Sequence, residues 1–248
     1  MKRERFGLLN GNTLKIIAAI SMTLDHIGVI FFPRVYLLRC LGRLALPIFS
    51  FMIAEGCRYT RHRLRYLLSV LLLGTGCQLV YYFVSRSLYL NILLAFSLSI
   101  LMIYALQAWK RTLTPGHSTL QRCLGAMLFL GSVAGTLLLN QLFVIDYGFW
   151  GCMLPLFAAL FHFPDPDAPP ALKRLDHNLI HVLSLTVGML LLISVNQARQ
   201  YFSLLTIPLL LLYSGKRGTH KMKYFFYIFY PLHLALLEGL YMLIQMLR

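Results

Sequence analysis

Three stretches of this sequence, 67–84, 92–109 and 179–195, are almost unbroken runs of apolar residues. Runs of about 18 or more apolar residues are long enough to cross the hydrocarbon of a bilayer. Backbone N–H and C=O groups find no water in lipid, so a segment that crosses must satisfy them itself, as a helix does. The two-residue alternation of a membrane β-barrel is absent. Composition agrees: 58% of the residues are hydrophobic and 12% charged, against about 45–50% and 25% in soluble domains. The expected fold is therefore an all-α integral membrane protein, a single domain over 1–248.

The apolar segments divide into about nine helices, at roughly 13–33, 36–56, 65–84, 90–109, 122–140, 146–162, 179–196, 201–213 and 223–245. The eighth is short and carries Pro208. Basic residues concentrate on the cytoplasmic side of membrane proteins. With the N-terminus in the cytoplasm, sixteen of the 23 Lys and Arg residues fall in cytoplasmic segments. Arg34, Arg86, Arg199 and Arg248 fall on the other side, and Lys15, Arg39 and Arg43 within helices. This asymmetry requires an odd helix count and an external C-terminus. The net charge of +15 is mostly this topology, together with contact to anionic lipid. The basic residues sit at helix ends and form no docking surface for nucleic acid. The N-terminal Lys2, Arg3 and Arg5 precede no cleavable secretion signal. The five cysteines contain no Cys-x-x-Cys pair, so no metal and no disulfide framework is expected.

Charged groups at bilayer depth are costly and mark functional sites by default. Asp25 and His26 lie inside the first helix, Arg39 and Arg43 in the second, His233 and Glu238 in the last. At 1.5 Å per residue, His26 and Arg43 both lie about 10 Å from the outer helix ends. Glu238 falls in the same outer half. One buried polar cluster of His, Asp, Arg and Glu is expected. Successive helical residues point about 100° apart, so Asp25 and His26 cannot face one partner. Asp25 is expected to hold Arg39 or Arg43, leaving His26 for chemistry. Lys15 and His26 share one helix face, about 16 Å apart along the axis. A cation at the cytoplasmic mouth and a base at depth suit a long ligand with a phosphate head and a reactive tail, such as coenzyme A. A Lys that snorkels to lipid headgroups is the simpler alternative. Asn91 and Asp146 stand where two helices begin, on the outer side.

At these residues the sequence resembles the TraX family of bacterial membrane proteins. The blocks are Leu14-Lys15-Ile16-Ile17-Ala18 leading to Asp25-His26-Ile27-Gly28, then Gly42-Arg43-Leu44-Ala45-Leu46-Pro47-Ile48-Phe49, Glu55-Gly56 and Thr60-Arg61. Asp146-Tyr147-Gly148 with Gly151, and the run 223–234 containing Tyr230-Pro231-Leu232-His233, complete them. Ser214 stands where the family pattern would have Asn.

The resemblance implies an acetyltransferase, associated with N-terminal acetylation of conjugative pilin, in the bacterial inner membrane. It also implies kinship with wider membrane acyltransferases that use cytoplasmic acetyl-CoA and an early-helix histidine, which His26 matches. The expected reaction is acyl transfer from a thioester to an amine or hydroxyl. His26 would be general base or transient acetyl carrier. Arg43, with Asn91, would stabilise the oxyanion, and Asp25 would orient Arg43. Lys15, Arg58, Arg61, Lys216 and Arg217 would hold the coenzyme A phosphates. Asn91, Asp146, Tyr147, His233 and Glu238 would meet the acceptor: a peptide, a glycan or a small molecule. Two rival classes use the same residues differently. A transporter of an anionic small molecule would need the buried charges without a chemical step. A scaffold for pilus or envelope assembly would need them only for helix packing.

Overall fold

The computed structural model describes residues 7–163, 168–196, 198–219 and 222–247. Lys2, Arg3, Arg5, Lys221 and Arg248, used above to orient the chain, lie outside them. The described residues are helical, joined by turns and two isolated β-bridges. The helices are α1 (Gly11–Ile30), α2 (Tyr36–Gly42), α3 (Ala45–Tyr59), α4 (Arg63–Ser85), α5 (Ile92–Thr112) and α6 (Thr119–Leu142). They continue with α7 (Gly148–Ala159), α8 (Pro170–Leu175), α9 (Asn178–Asn196), a 3₁₀ segment (Ala198–Leu205), α10 (Thr206–Leu211) and α11 (Lys223–Met246).

Among the described residues, seven helical segments are long and apolar enough to cross a membrane: Gly11–Ile30, Tyr36–Tyr59, Arg63–Val84, Ile92–Thr112, Thr119–Leu142, Asn178–Val195 and Phe225–Met246. The two remaining segments expected from the sequence are helical but short. The apolar stretch at 148–159 is twelve residues, and 201–213 is split between 3₁₀ and α geometry. The second helix expected over 36–56 is present as the one span Tyr36–Tyr59, with a tightened step at Arg43–Leu44, where the N–H groups bond three residues back, between α2 and α3.

Side-chain exposure follows lipid rather than water. Leu72, Leu79, Val80 and Phe83 on α4, and Leu124, Leu128, Leu130 and Leu138 on α6, are all more than half exposed. Water would penalise apolar patches of that extent, whereas hydrocarbon does not.

The chain divides into two compact units, 1–49 with 193–248, and 50–192. In the first, α1 packs on α2 and α11, and α2 packs on the 3₁₀ segment. Asn10 caps α1 by accepting the Thr13 N–H at 3.0 Å, which satisfies one of the orphan donors of a helix start. The adjoining N–H groups of Gly11 and Asn12 donate to the carbonyls of Lys216 and Arg217, at 2.8 and 3.0 Å. In the second unit, α5 is the central helix and packs on α4, α6 and α7. Asn91 caps it through Leu93 N–H at 3.0 Å, and a Ser118–Gln121 capping box starts α6. Ser99 on α5 donates to the Cys152 carbonyl at 2.6 Å, beside Pro155 inside α7.

Helix α9 meets α7 closely at Gly188, where an added Cβ would lie 2.7 Å from the Phe157 ring and 3.1 Å from Leu154. Gly188→Ala should therefore overpack this crossing and cost about 1–3 kcal/mol, read as a lower melting temperature in detergent. Gly131→Ala on α6, where an added Cβ meets nothing within 4 Å, should melt at or slightly above wild type, because Ala favours a helix by about 1 kcal/mol. Equal melting of Gly188→Ala and wild type would contradict the packing described.

Candidate functional site

In the first unit, Asp25 on α1 is gripped by two arginines. Arg39 Nη1 donates to its Oδ2 at 3.0 Å. Arg43 Nη2 donates to Oδ1 at 2.6 Å and to Oδ2 at 2.8 Å. Arg43 also donates from Nε to the Arg39 carbonyl at 3.3 Å and from Nη1 to Gln200 Oε1 at 3.5 Å. The approach that permits this is set by Gly42, whose added Cβ would lie 2.3 Å from Asp25 Cβ. Arg39 and Arg43 are four residues apart, which puts both side chains on one helical face toward the carboxylate.

His26, the next residue along α1, points to a different neighbour. Its Nδ1 lies 3.3 Å from His233 Nε2 on α11, with the ring centroids 5.2 Å apart. His233 Nδ1 lies 2.9 Å from the Phe229 carbonyl, and its ring stacks on Phe229 at 4.9 Å. A carbonyl oxygen only accepts, so His233 Nδ1 carries a proton. The neutral His233 ring then has an acceptor at Nε2. His26 Nδ1–H donates to it, and the lone pair of His26 stays on Nε2. The pair thus fixes the His26 tautomer that a general base needs.

An apolar hollow of about 210 Å³ lies beside this pair, lined by Ile16, Ala19, Ile20, Thr23 and Leu24 of α1 and by Phe225 and Phe229 of α11. Lys15 is one residue before it, its ammonium 5.7 Å from the Phe226 ring centroid. Along α1 the order is therefore cation, apolar hollow, base. The exposed Lys216 and Arg217 join the cation end through their carbonyl bonds to the start of α1. Glu238, expected in the polar cluster, is exposed on α11 instead. Depth alone placed it there; the helix face was wrong.

The second unit holds the other expected residues. Arg61 is exposed. Arg58, expected to hold phosphate, is engaged inside the protein: its Nη1 lies 2.7 Å from Asp176 Oδ1 and its Nη2 donates to Oδ2 at 3.0 Å. Burial raises the Asp176 pKa, but the His181 contact, the Arg58 charge and the Phe163 N–H outweigh it and hold the carboxyl well below its ordinary range. Around this ion pair stand Glu55, His162 and His181. Burial, then the neighbouring His181 and Arg58, hold His162 well below the ordinary histidine range. The sequence reading gave no role to His162, His181 or Asp176. Their signal was a set of polar residues bordering apolar helices, but their separation in the chain hid it.

Asn91, Asp146 and Tyr147 come together at a bridge between Leu90 and Ile145. Asn91 Nδ2 donates to the Gly74 carbonyl at 2.9 Å, in addition to its capping bonds. The Tyr89 hydroxyl donates to Asp146 Oδ1 at 2.7 Å; burial and that carboxylate push the Tyr89 pKa well up. Tyr147 adopts a left-handed backbone, φ 59°, at the start of α7. Asn91 is thus a structural cap in the second unit, and Arg43 a residue of the first.

The TraX protein family matches residues 10–241. A probable fimbrial assembly protein FimC, serogroup H1, of Dichelobacter nodosus is 28% identical over 94% of this chain and 96% of its own length. An uncharacterized protein, RP591, of Rickettsia prowazekii is 47% identical over 38 residues, 15% of either chain. No solved structure matches. With its family match running through α1, α2 and most of α11, this chain belongs to the TraX family of bacterial membrane proteins.

Proposed function

We propose that the chain is a membrane acetyltransferase of the bacterial inner membrane. It moves an acetyl group from cytoplasmic acetyl-CoA to an amine or hydroxyl acceptor on the outer side. The observation that carries this reading is the His26–His233–Phe229 chain, which leaves a lone pair on His26 Nε2. A phosphate head at Lys15, Lys216 and Arg217 would leave the pantetheine arm in the hollow and the thioester near His26.

His26 Nε2 takes the proton of the acceptor N–H or O–H as the acceptor atom bonds to the thioester carbonyl carbon. Arg43 N–H groups meet the oxyanion that develops, in a site dry enough to make such donors effective. When the tetrahedral intermediate collapses, the C–S bond breaks and the proton on His26 passes to the coenzyme A thiolate. Asp25 keeps Arg39 and Arg43 in register. The printed name of the Dichelobacter nodosus relative concerns fimbrial assembly, so a pilin N-terminal amine is the first acceptor to try, with glycans and small molecules next.

The orientation belongs to the same reading: nine crossings, N-terminus in the cytoplasm, C-terminus outside. Side-specific reporters fused at residue 248 and within the 113–118 turn should respond from opposite sides. A shared side would overturn the orientation.

His26→Ala and His26→Gln should both lose about 10²–10⁴-fold in turnover, the usual contribution of a general base, while melting within a few degrees of wild type. His233→Ala, which frees the His26 tautomer, should show a smaller loss with KM for acetyl-CoA little changed. The rate should rise with pH as His26 loses its proton. Near-normal turnover in His26→Gln would make His26 a structural donor and refute the mechanism.

A further inference from the structure

The Glu55, His162 and His181 side chains each offer a ligand atom, and these atoms all lie within 4.8 Å of one another. Glu55 stands near the end of α3, His162 just after α7, and His181 in the first turn of α9. All three are buried, with 4%, 1% and 0% of their surface exposed. Both Glu55 oxygens and all four ring nitrogens of His162 and His181 lack a hydrogen-bond partner, with His162 Nε2 standing 3.6 Å from Glu55 Oε1 and His181 Nε2 3.1 Å from Asp176 Oδ1. The nearest charged group to Glu55 is Arg58 Nη1, at 3.9 Å, and Arg58 is already bound to Asp176. A buried carboxylate with no donor is expensive, and so is a pair of buried imidazoles with nothing at their nitrogens.

We infer that Glu55, His162 and His181 form a binding site for a divalent d-block cation, zinc above all. Two imidazoles and one carboxylate are a zinc donor set, and imidazole excludes the oxygen-seeking magnesium and calcium. Zinc donors at about 2.0–2.2 Å stand roughly 3.3–3.6 Å from each other in a tetrahedron, so the side chains need only close in slightly. The surroundings are those of a built site. His181 Nε2 lies 3.1 Å from Asp176 Oδ1, so a small rotation of the ring would make the carboxylate–histidine hydrogen bond that turns a ligand's other nitrogen to the metal. Lys110 Nζ donates to the carbonyls of Leu160 and His162, and the Phe163 N–H donates to Asp176 Oδ2 at 3.2 Å. These bonds hold the segment that carries His162. The ion would tie α3, the end of α7 and α9 together within the second unit. This inference is independent of the transferase reading.

The test uses the full chain purified in detergent from zinc-supplemented cells. Elemental analysis should find about one zinc per chain, and stripping with EDTA should lower the melting temperature until zinc chloride is restored. X-ray absorption at the zinc edge should show nitrogen and oxygen neighbours with imidazole scattering and no sulfur. Glu55→Gln and His162→Gln should lose stoichiometric zinc while His26→Gln keeps it. Wild type that purifies without zinc and takes up none from zinc chloride would overturn the site. So would sulfur in the absorption spectrum, or full zinc retention in both ligand variants. If the ligand variants do not fold, the wild-type spectrum decides.

Discussion

A charged side chain inside an apolar helix has to find its partner within the protein, and the first unit is arranged around that requirement. Asp25 is the anion that two arginines share. Removing Asp25 would leave two arginines side by side with no anion between them. Both arginines need α2 alongside α1, and their four-residue spacing aims them at the same carboxylate. Gly42 lets the two backbones approach. With Asp25 turned toward α2, the helical step sends His26 toward α11 and His233. The placement of the base follows from the placement of the ion cluster.

This explains why part of the site could be read from the sequence. Long apolar runs identified the helices, and counting residues inward from their ends put His26 and Arg43 at one depth. The 100° step separated the roles of Asp25 and His26. Depth does not give rotation about the helix axis, and that is why Glu238 was misplaced: it lies on an exposed part of α11. Nor does a hydropathy pattern reveal the close seat of Gly42 on the Asp25 side chain. The His26–His233 pairing joins opposite ends of the chain, beyond the reach of any local pattern.

The second unit shows the same limit more sharply. Arg58 reads in the sequence as one more basic residue at a cytoplasmic helix end, available to phosphate. In the fold its guanidinium is taken by Asp176, at the centre of a buried polar set supplied by three separate segments. Arg61, Lys216 and Arg217, by contrast, are exposed. Burial of Arg58 depends on a tertiary partner over a hundred residues away.

Membership of the TraX family fixes the kind of protein, and the chemistry rests on whether the lone pair on His26 Nε2 is put to use. The most direct measurement is acetyl transfer by the purified chain in liposomes, with acetyl-CoA labelled in its acetyl group and pilin-like peptides or simple amines as acceptors. The account predicts label in the acceptor and one free coenzyme A thiol released per acetyl group transferred, neither of them seen with His26→Gln liposomes. Label that crosses the membrane still attached to coenzyme A, with no thiol released, would contradict it and make the site a transport pathway.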